Sequence, residues 1–188
     1  MTKLQDKQVR IERDFLGEKE VDTQAYYGIQ TLRAVENFPI TGYRIHEELI
    51  KALGIVKKAA ALANMDTQRL YSGLGEKIVQ AADEVIEGKW NNQFIVDPIQ
   101  GGAGTSMNMN ANEVIGNRAL EIMGHQKGEY IHLSPNTHVN MSQSTNDSFP
   151  TAIHIAVLKQ LDILLETMQL MQDVFQKKAK EFDHVIKM

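Results

Sequence analysis

The chain has no cysteine among its 188 residues, which excludes a disulfide framework, a thiolate metal site and a cysteine nucleophile. It also lacks a basic excess. Twenty Lys and Arg stand against 24 Asp and Glu, a formal charge of −4 with a pI near 5.9, so neither nucleic acid nor an anionic membrane is an expected partner. No run approaches the roughly 18 apolar residues of a membrane span, and Met1 to Arg10 holds no apolar core of signal-peptide length. The expectation is a cytoplasmic protein acting on a small molecule. Several chemical signatures are missing as well. His46, His125, His132, His138, His154 and His184 show no metal-ligand spacing of the H-E-x-x-H kind, and there is neither a G-x-S-x-G elbow nor an evident acid pair. Metal and covalent mechanisms therefore have no support in these residues.

What is present, 43% hydrophobic and 23% charged residues, fits a folded globular protein, and the patterns along the chain make the expected fold mainly α, with one small β-hairpin. Val9 to Val21, with Gly17 between Ile11, Phe15 and Val21, predicts a small β-hairpin. From His46 to Asn64 the apolar residues Leu49, Leu53, Val56, Ala60 and Ala63 fall at steps of three and four, which predicts an amphipathic helix. A second helix is expected from Gly75 to Glu87 with Ile78, Val79, Ala82 and Ile86 on one face, and Gly88 is its natural stop. A third is expected from Asn108 to Met123.

The last segment is the most regular. Ile153, Val157, Leu161, Leu164, Met168, Met171, Phe175, Ala179 and Phe182 are separated only by steps of three or four, one stripe along one long helix. From Asp147 to Phe182 it would run about 54 Å at about 1.5 Å per residue, while a compact globule of this chain length is about 40 Å across. Leu158, Ile163, Leu165 and Leu170 add apolar surface off the stripe, so more than one flank needs a partner. The alternative is that the helix bends and packs on the earlier ones. The chain stops inside Val185-Ile186-Lys187-Met188 without a terminal signal, and the expectation is a truncated chain. Its organisation then reads as an amino-terminal domain over 1–143 and the start of a central helical bundle over 144–188.

Two segments carry chemistry. Gly101, Gly102 and Gly104 let the backbone turn tightly, and Thr105 and Ser106 bring hydroxyls to the start of the next helix, a carboxylate cradle or a plain structural turn. A P-loop is excluded because no lysine follows Gly104. The helix beyond carries Asn108, Asn110, Asn112 and Asn117, poor helix formers that either bond between helices or contact a ligand. The second segment runs from His138 through Ser142-Gln143-Ser144-Thr145-Asn146-Asp147 to Pro150. Its polar residues end where the long helix begins, with Ser144, Thr145 or Asn146 able to cap, so free N–H groups and the positive helix end meet several side-chain donors. An anion is the expected guest.

The run from Gly101 to Ile115 and the run from Ser142 to Asp147 together resemble two hallmark segments of the aspartase/fumarase superfamily. Tyr26 to Thr31 and Glu36 to Ile40 are similar to the same family, so the resemblance covers nearly the whole chain. Ala103 and Thr145 stand where the fumarase side usually has serines, which favours the aspartase side. The resemblance implies a mostly helical subunit whose long helices join those of three others in a homotetrameric core, with active sites shared between subunits. It implies reversible removal of ammonia from L-aspartate to give fumarate without an organic cofactor. Thr105, Ser144 and Thr145 match family residues that bond the substrate carboxylate, and Asn146 matches one near the departing amino group. The family's base, a serine on a mobile Gly-Ser-Ser loop, and its partner lysine and asparagine have no counterpart in this chain, which is therefore expected to be inactive alone. A fumarase and a noncatalytic helical scaffold are the alternatives.

Overall fold

A computed structural model describes residues 8–186; the first residues, where no signal-peptide core was found, and Lys187 and Met188 at the chain end lie outside the described residues. Strands β1 (Val9–Asp14) and β2 (Gly17–Asp22) form an antiparallel hairpin with Glu12 opposite Lys19 and Arg10 opposite Val21. Five helices follow: α1 (Ile29–Asn37), α2 (Glu47–Asp66), α3 (Ser72–Ile86), α4 (Thr105–Ile122) and α5 (Thr145–Glu181). The architecture is mainly α, as expected. A short turn of 3-10 helix at Asn91–Gln93 and a π-helical turn at Pro135–Val139 shape the connections on either side of α4.

The hairpin is where the sequence put it, and of the three apolar residues that marked it only Val21 is buried. Ile11 and Phe15 are exposed, while Glu12 is buried on the parity of Arg10. The reason is electrostatic: the amide of Ile29 donates to Glu12 Oε2 at 2.8 Å, so the strand turns an acid, not an isoleucine, toward the start of α1.

The buried face of α2 likewise differs from the apolar stripe. Ile50, Leu53, Lys57, Ala61 and Asn64 face inward, and Ala63 faces solvent. The helix is rotated by about one residue because its inner side meets polar groups on α4 and the loop before α5. Gly54 permits the close crossing of α2 and α3, since a Cβ there would fall 2.9 Å from Ile86 Cγ1 and 3.2 Å from the Ala82 carbonyl. Helix α4 is buried around most of its circumference, and Met107, Val114, Ile115 and Leu120 join Leu53, Ile78 and Phe94 in the core.

Helix α5 runs unbroken for 37 residues, about 55 Å at about 1.5 Å per residue, so the bent alternative is not the observed one. Its first turns rest on α2 and α4, but only Ser148 and Ala152 are buried along it, and Val157, Leu164, Met168, Met171 and Phe175 are exposed. An 18-residue window of α5 reaches a mean hydropathy of 1.2 with no more than two charged residues, enough to cross a membrane by that measure, although no uninterrupted apolar run exists in it. Lys159, Asp162 and Glu166 break the helix surface, and charges along a spanning helix are costly.

Candidate functional site

The two polar segments meet at the starts of α4 and α5. The bend before α4 holds three successive residues at positive φ, Gly102 at 72°, Ala103 at 49° and Gly104 at 93°, and Gly104 caps the helix without any side-chain bond. Gly104 lies against Phe149 in the first turn of α5. One turn into α4, the Asn108 side chain crosses to α5: its Nδ2 donates to Thr145 Oγ1 at 3.1 Å, and its Oδ1 accepts from Ser148 Oγ at 3.2 Å. Ser144 caps α5, its hydroxyl oxygen accepting from the Asn146 amide at 3.1 Å.

These bonds decide which hydroxyl protons are free. Ser144 Oγ and Thr145 Oγ1 both act as acceptors, so each retains an O–H to offer an incoming anion. Thr105 differs. Its Oγ1 donates to the Gly102 carbonyl at 2.5 Å, so it reaches a ligand as donor only after leaving that bond. Asn146 and Ser144 are exposed, Thr145 is half-buried, and Thr105 lines a cleft of about 660 Å³ with Arg13, Gln30, Tyr130, Ser134 and Asn136. Ser144, Thr145 and Asn146 are consecutive at the α5 start, linked to α4 through Asn108; the cleft beside Thr105 does not include them.

All four α4 asparagines are buried and bond to protein. Asn110 holds the Gln93 carbonyl and the Ile95 amide, each at 3.0 Å. Asn117 donates to the Tyr26 carbonyl and accepts from the Gly128 amide, each at 2.8 Å. Asn112 donates to Asn140 Oδ1 at 3.2 Å, while its own Oδ1 is buried with no partner.

Two groups of consequence gave no sequence signal. The first is Lys57, wholly buried on α2, whose Nζ donates to amide oxygens of Asn108, Asn140 and Gln143. Burial pushes its pKa down to about 7. The second is Glu113, which accepts from the amides of Gly28, Gln30 and Thr31 and from the Thr31 hydroxyl at 2.6–3.0 Å. Burial raises its pKa to about 7 and the nearby Glu12 adds to the rise, while the Thr31 hydroxyl and backbone amides oppose it. Tyr130 donates to Glu12 at 3.1 Å. The start of α1 is thus filled by the protein's own acids, whereas the start of α5 is not.

The histidines show one grouping that spacing did not reveal: ligand atoms of His125, Glu129 and His132 lie within 4.8 Å of one another on the turn after α4. The two imidazoles stack face to face with centroids 3.9 Å apart, and His125 Nδ1 sits 3.5 Å from Glu129.

Adjacent helix starts bearing hydroxyl groups, at the root of a long helix with an exposed apolar flank, mark a mainly α protein. Comparison narrows this class. A sequence model of the family described as Lyase matches residues 17–188. An aspartate ammonia-lyase of Bacillus subtilis (strain 168) is 77% identical over 182 residues, 97% of this chain and 38% of its own length. The aspartate ammonia-lyase of Escherichia coli (strain K12) is 50% identical over 183 residues, 96% of this chain and 38% of its own. Among solved structures, the fumarate lyase:delta crystallin from Brucella melitensis matches with a TM-score of 0.87 at 48% identity, over 92% of this chain and 39% of that one. A class II fumarase from Schistosoma mansoni matches at 0.74 and 37%, over 80% and 32%. The chain belongs to this lyase family, within the aspartase/fumarase superfamily. It spans about 38% of the length of the curated relatives it matches.

Proposed function

We propose that this chain is the amino-terminal portion of an aspartate ammonia-lyase, a carbon–nitrogen lyase that removes ammonia reversibly from L-aspartate to give fumarate. In this reading residues 1–143 belong to the amino-terminal lyase domain, 144–188 begin the central bundle, and the exposed flank of α5 packs in a cytoplasmic homotetramer with shared active sites. The reaction in this reading uses no organic cofactor, and neither a membrane nor a nucleic acid is a partner. The observation that carries the reading is the pair of hydroxyls on Ser144 and Thr145, each satisfied as an acceptor and left with a free O–H at a helix start, in a chain 77% identical to a relative named aspartate ammonia-lyase.

The chemistry needs such donors. The proton removed from aspartate sits beside the side-chain carboxylate and is weakly acidic, so its loss loads that carboxylate with a second negative charge, an aci-carboxylate. Preorganised donors hold it at little reorganisation cost. Ser144 and Thr145 supply theirs directly, Thr105 supplies one on releasing the Gly102 carbonyl, and Asn146 lies beside the leaving amino group. The base comes from outside residues 1–188, so these residues alone do not turn over substrate.

The test is a chimera in which this chain replaces the matching 182-residue stretch of the Bacillus subtilis relative. Given L-aspartate, it produces fumarate, read by ultraviolet absorbance; turnover of malate alone would move the assignment to a fumarase, and neither activity would favour a scaffold. Thr145→Val in that chimera lowers turnover by about tenfold or more.

A further inference from the structure

Lys57 has an unusual set of partners for a lysine with no exposed surface. Its ammonium has three protons and no acceptor, and all three are used: on Asn108 Oδ1 at 2.7 Å, Gln143 Oε1 at 2.9 Å and Asn140 Oδ1 at 3.0 Å. Every acceptor is a neutral amide. Among the described residues no carboxylate faces it from any packed element: on α2 its neighbour Lys58 pairs with Asp83 of α3, on α4 Glu113 is turned to the start of α1, in the loop His138 Nδ1 accepts from the Ser134 amide, and Asp147 on α5 is exposed. A buried cation without a counter-ion is costly, and neutral amides offset only part of that cost.

The acceptors lie at telling places. Asn108 is one turn past Thr105 and also holds Thr145, while Gln143 immediately precedes Ser144 and Asn140 ties the loop to Asn108 and Asn112. Pull out Lys57 and the loop 140–143 loses two of its bonds to α2, those to Asn140 and Gln143, and keeps the one from Asn64 Nδ2 to the Met141 carbonyl at 3.0 Å, while Asn108 on α4 loses its bond to α2. We propose that Lys57 is a positioning residue of the ligand site, its buried ammonium seating the loop 140–143 against the first turns of α4 so that Ser144 and Thr145 present their hydroxyls together to a dicarboxylate. The inference rests on the function proposed above. It also explains a retained charge: a dianion bound at the two helix starts supplies the missing counter-charge from outside, and binding then favours the protonated amine.

That coupling gives a readout that simple packing does not. Burial holds the Lys57 pKa at about 7, so in the same chimera the affinity for succinate, an unreactive dicarboxylate, falls several-fold as pH rises from about 6.5 to 8.5. Lys57→Met, checked by circular dichroism, removes this step and lowers kcat for aspartate about a hundredfold, while Lys57→Arg restores part of the activity and gives a pH-independent affinity. Should Lys57→Met not fold, Asn140→Asp decides the matter: it gives the amine a permanent counter-ion, moves the step above pH 8.5 and weakens succinate binding. An active chimera in which Lys57→Met turns over aspartate within threefold and keeps the step overturns the role of Lys57 alone. An unsubstituted chimera that neither turns over aspartate nor binds succinate overturns the function reading with it.

Discussion

Gly104 lies against the ring of Phe149, so close that a Cβ at residue 104 would overlap the ring atoms Cδ1 and Cγ. That contact brings the bend before α4 onto the first turn of α5, and the backbone there has φ at 93°, a region that side-chain-bearing residues avoid. Gly104→Ala therefore meets both strain and overpacking, and we expect a loss of about 2–4 kcal/mol in urea unfolding. Gly104→Ala combined with Phe149→Leu recovers only the packing share. Full recovery in the double variant would show that the positive φ is not a constraint.

Much of this junction could be read from the chain. The stripe from Ile153 to Phe182 keeps helical steps over nine positions, and periodicity that long has few alternatives. Gly88, at φ 81°, as a stop followed from local chemistry, as did a cap within Ser144-Thr145-Asn146, of which Ser144 is the one. Lys57 and Glu113 did not, because what makes them important is far away in sequence. Lys57 bonds Asn108 across 51 positions, and the Gly28 amide reaches Glu113 across 85. Hydrophobic patterning assigns a lysine to solvent by default, so it placed the inner face of α2 one residue off.

Glu113 offers a test of buried acceptors. Its two oxygens take three amides and a hydroxyl, so a glutamine of the same shape must point its NH₂ at one of those donors. Glu113→Gln is expected to lose about 1–3 kcal/mol, the cost of an unsatisfied buried donor, at pH 7.5 by thermal or urea unfolding. An unchanged stability would mean that the start of α1 is satisfied by other means.

The pH dependence of stability carries opposite signs for these two residues. Glu113 has its pKa raised to about 7, so the fold binds more protons than the unfolded chain between about pH 4.5 and 7, and stability falls as pH rises through that window, by up to about 3 kcal/mol. Lys57 has its pKa lowered to about 7, so the unfolded chain binds more protons between about pH 7 and 10, and stability climbs there by up to about 5 kcal/mol. Urea unfolding of the chain against Lys57→Met across pH 6 to 9.5 reads the second slope as a difference, with the tyrosines common to both. Parallel curves would show that Lys57 titrates as an ordinary surface lysine.

The exposed flank of α5 sets the last expectation. Met168 and Met171 are 48% and 53% exposed, in line with Val157, Leu164 and Phe175, and an apolar strip of this length on a helix end that none of the described residues covers favours association. Because neither methionine packs against the rest of the chain, replacing both with glutamate, a good helix former, leaves stability within about 0.5 kcal/mol. It places two like charges in the seam that a bundle would bury, where their desolvation is costly. Sedimentation should show concentration-dependent association of the unsubstituted chain and a 21.2 kDa monomer for the double variant. A monodisperse monomer before any substitution would remove the bundle-forming role assigned to this flank.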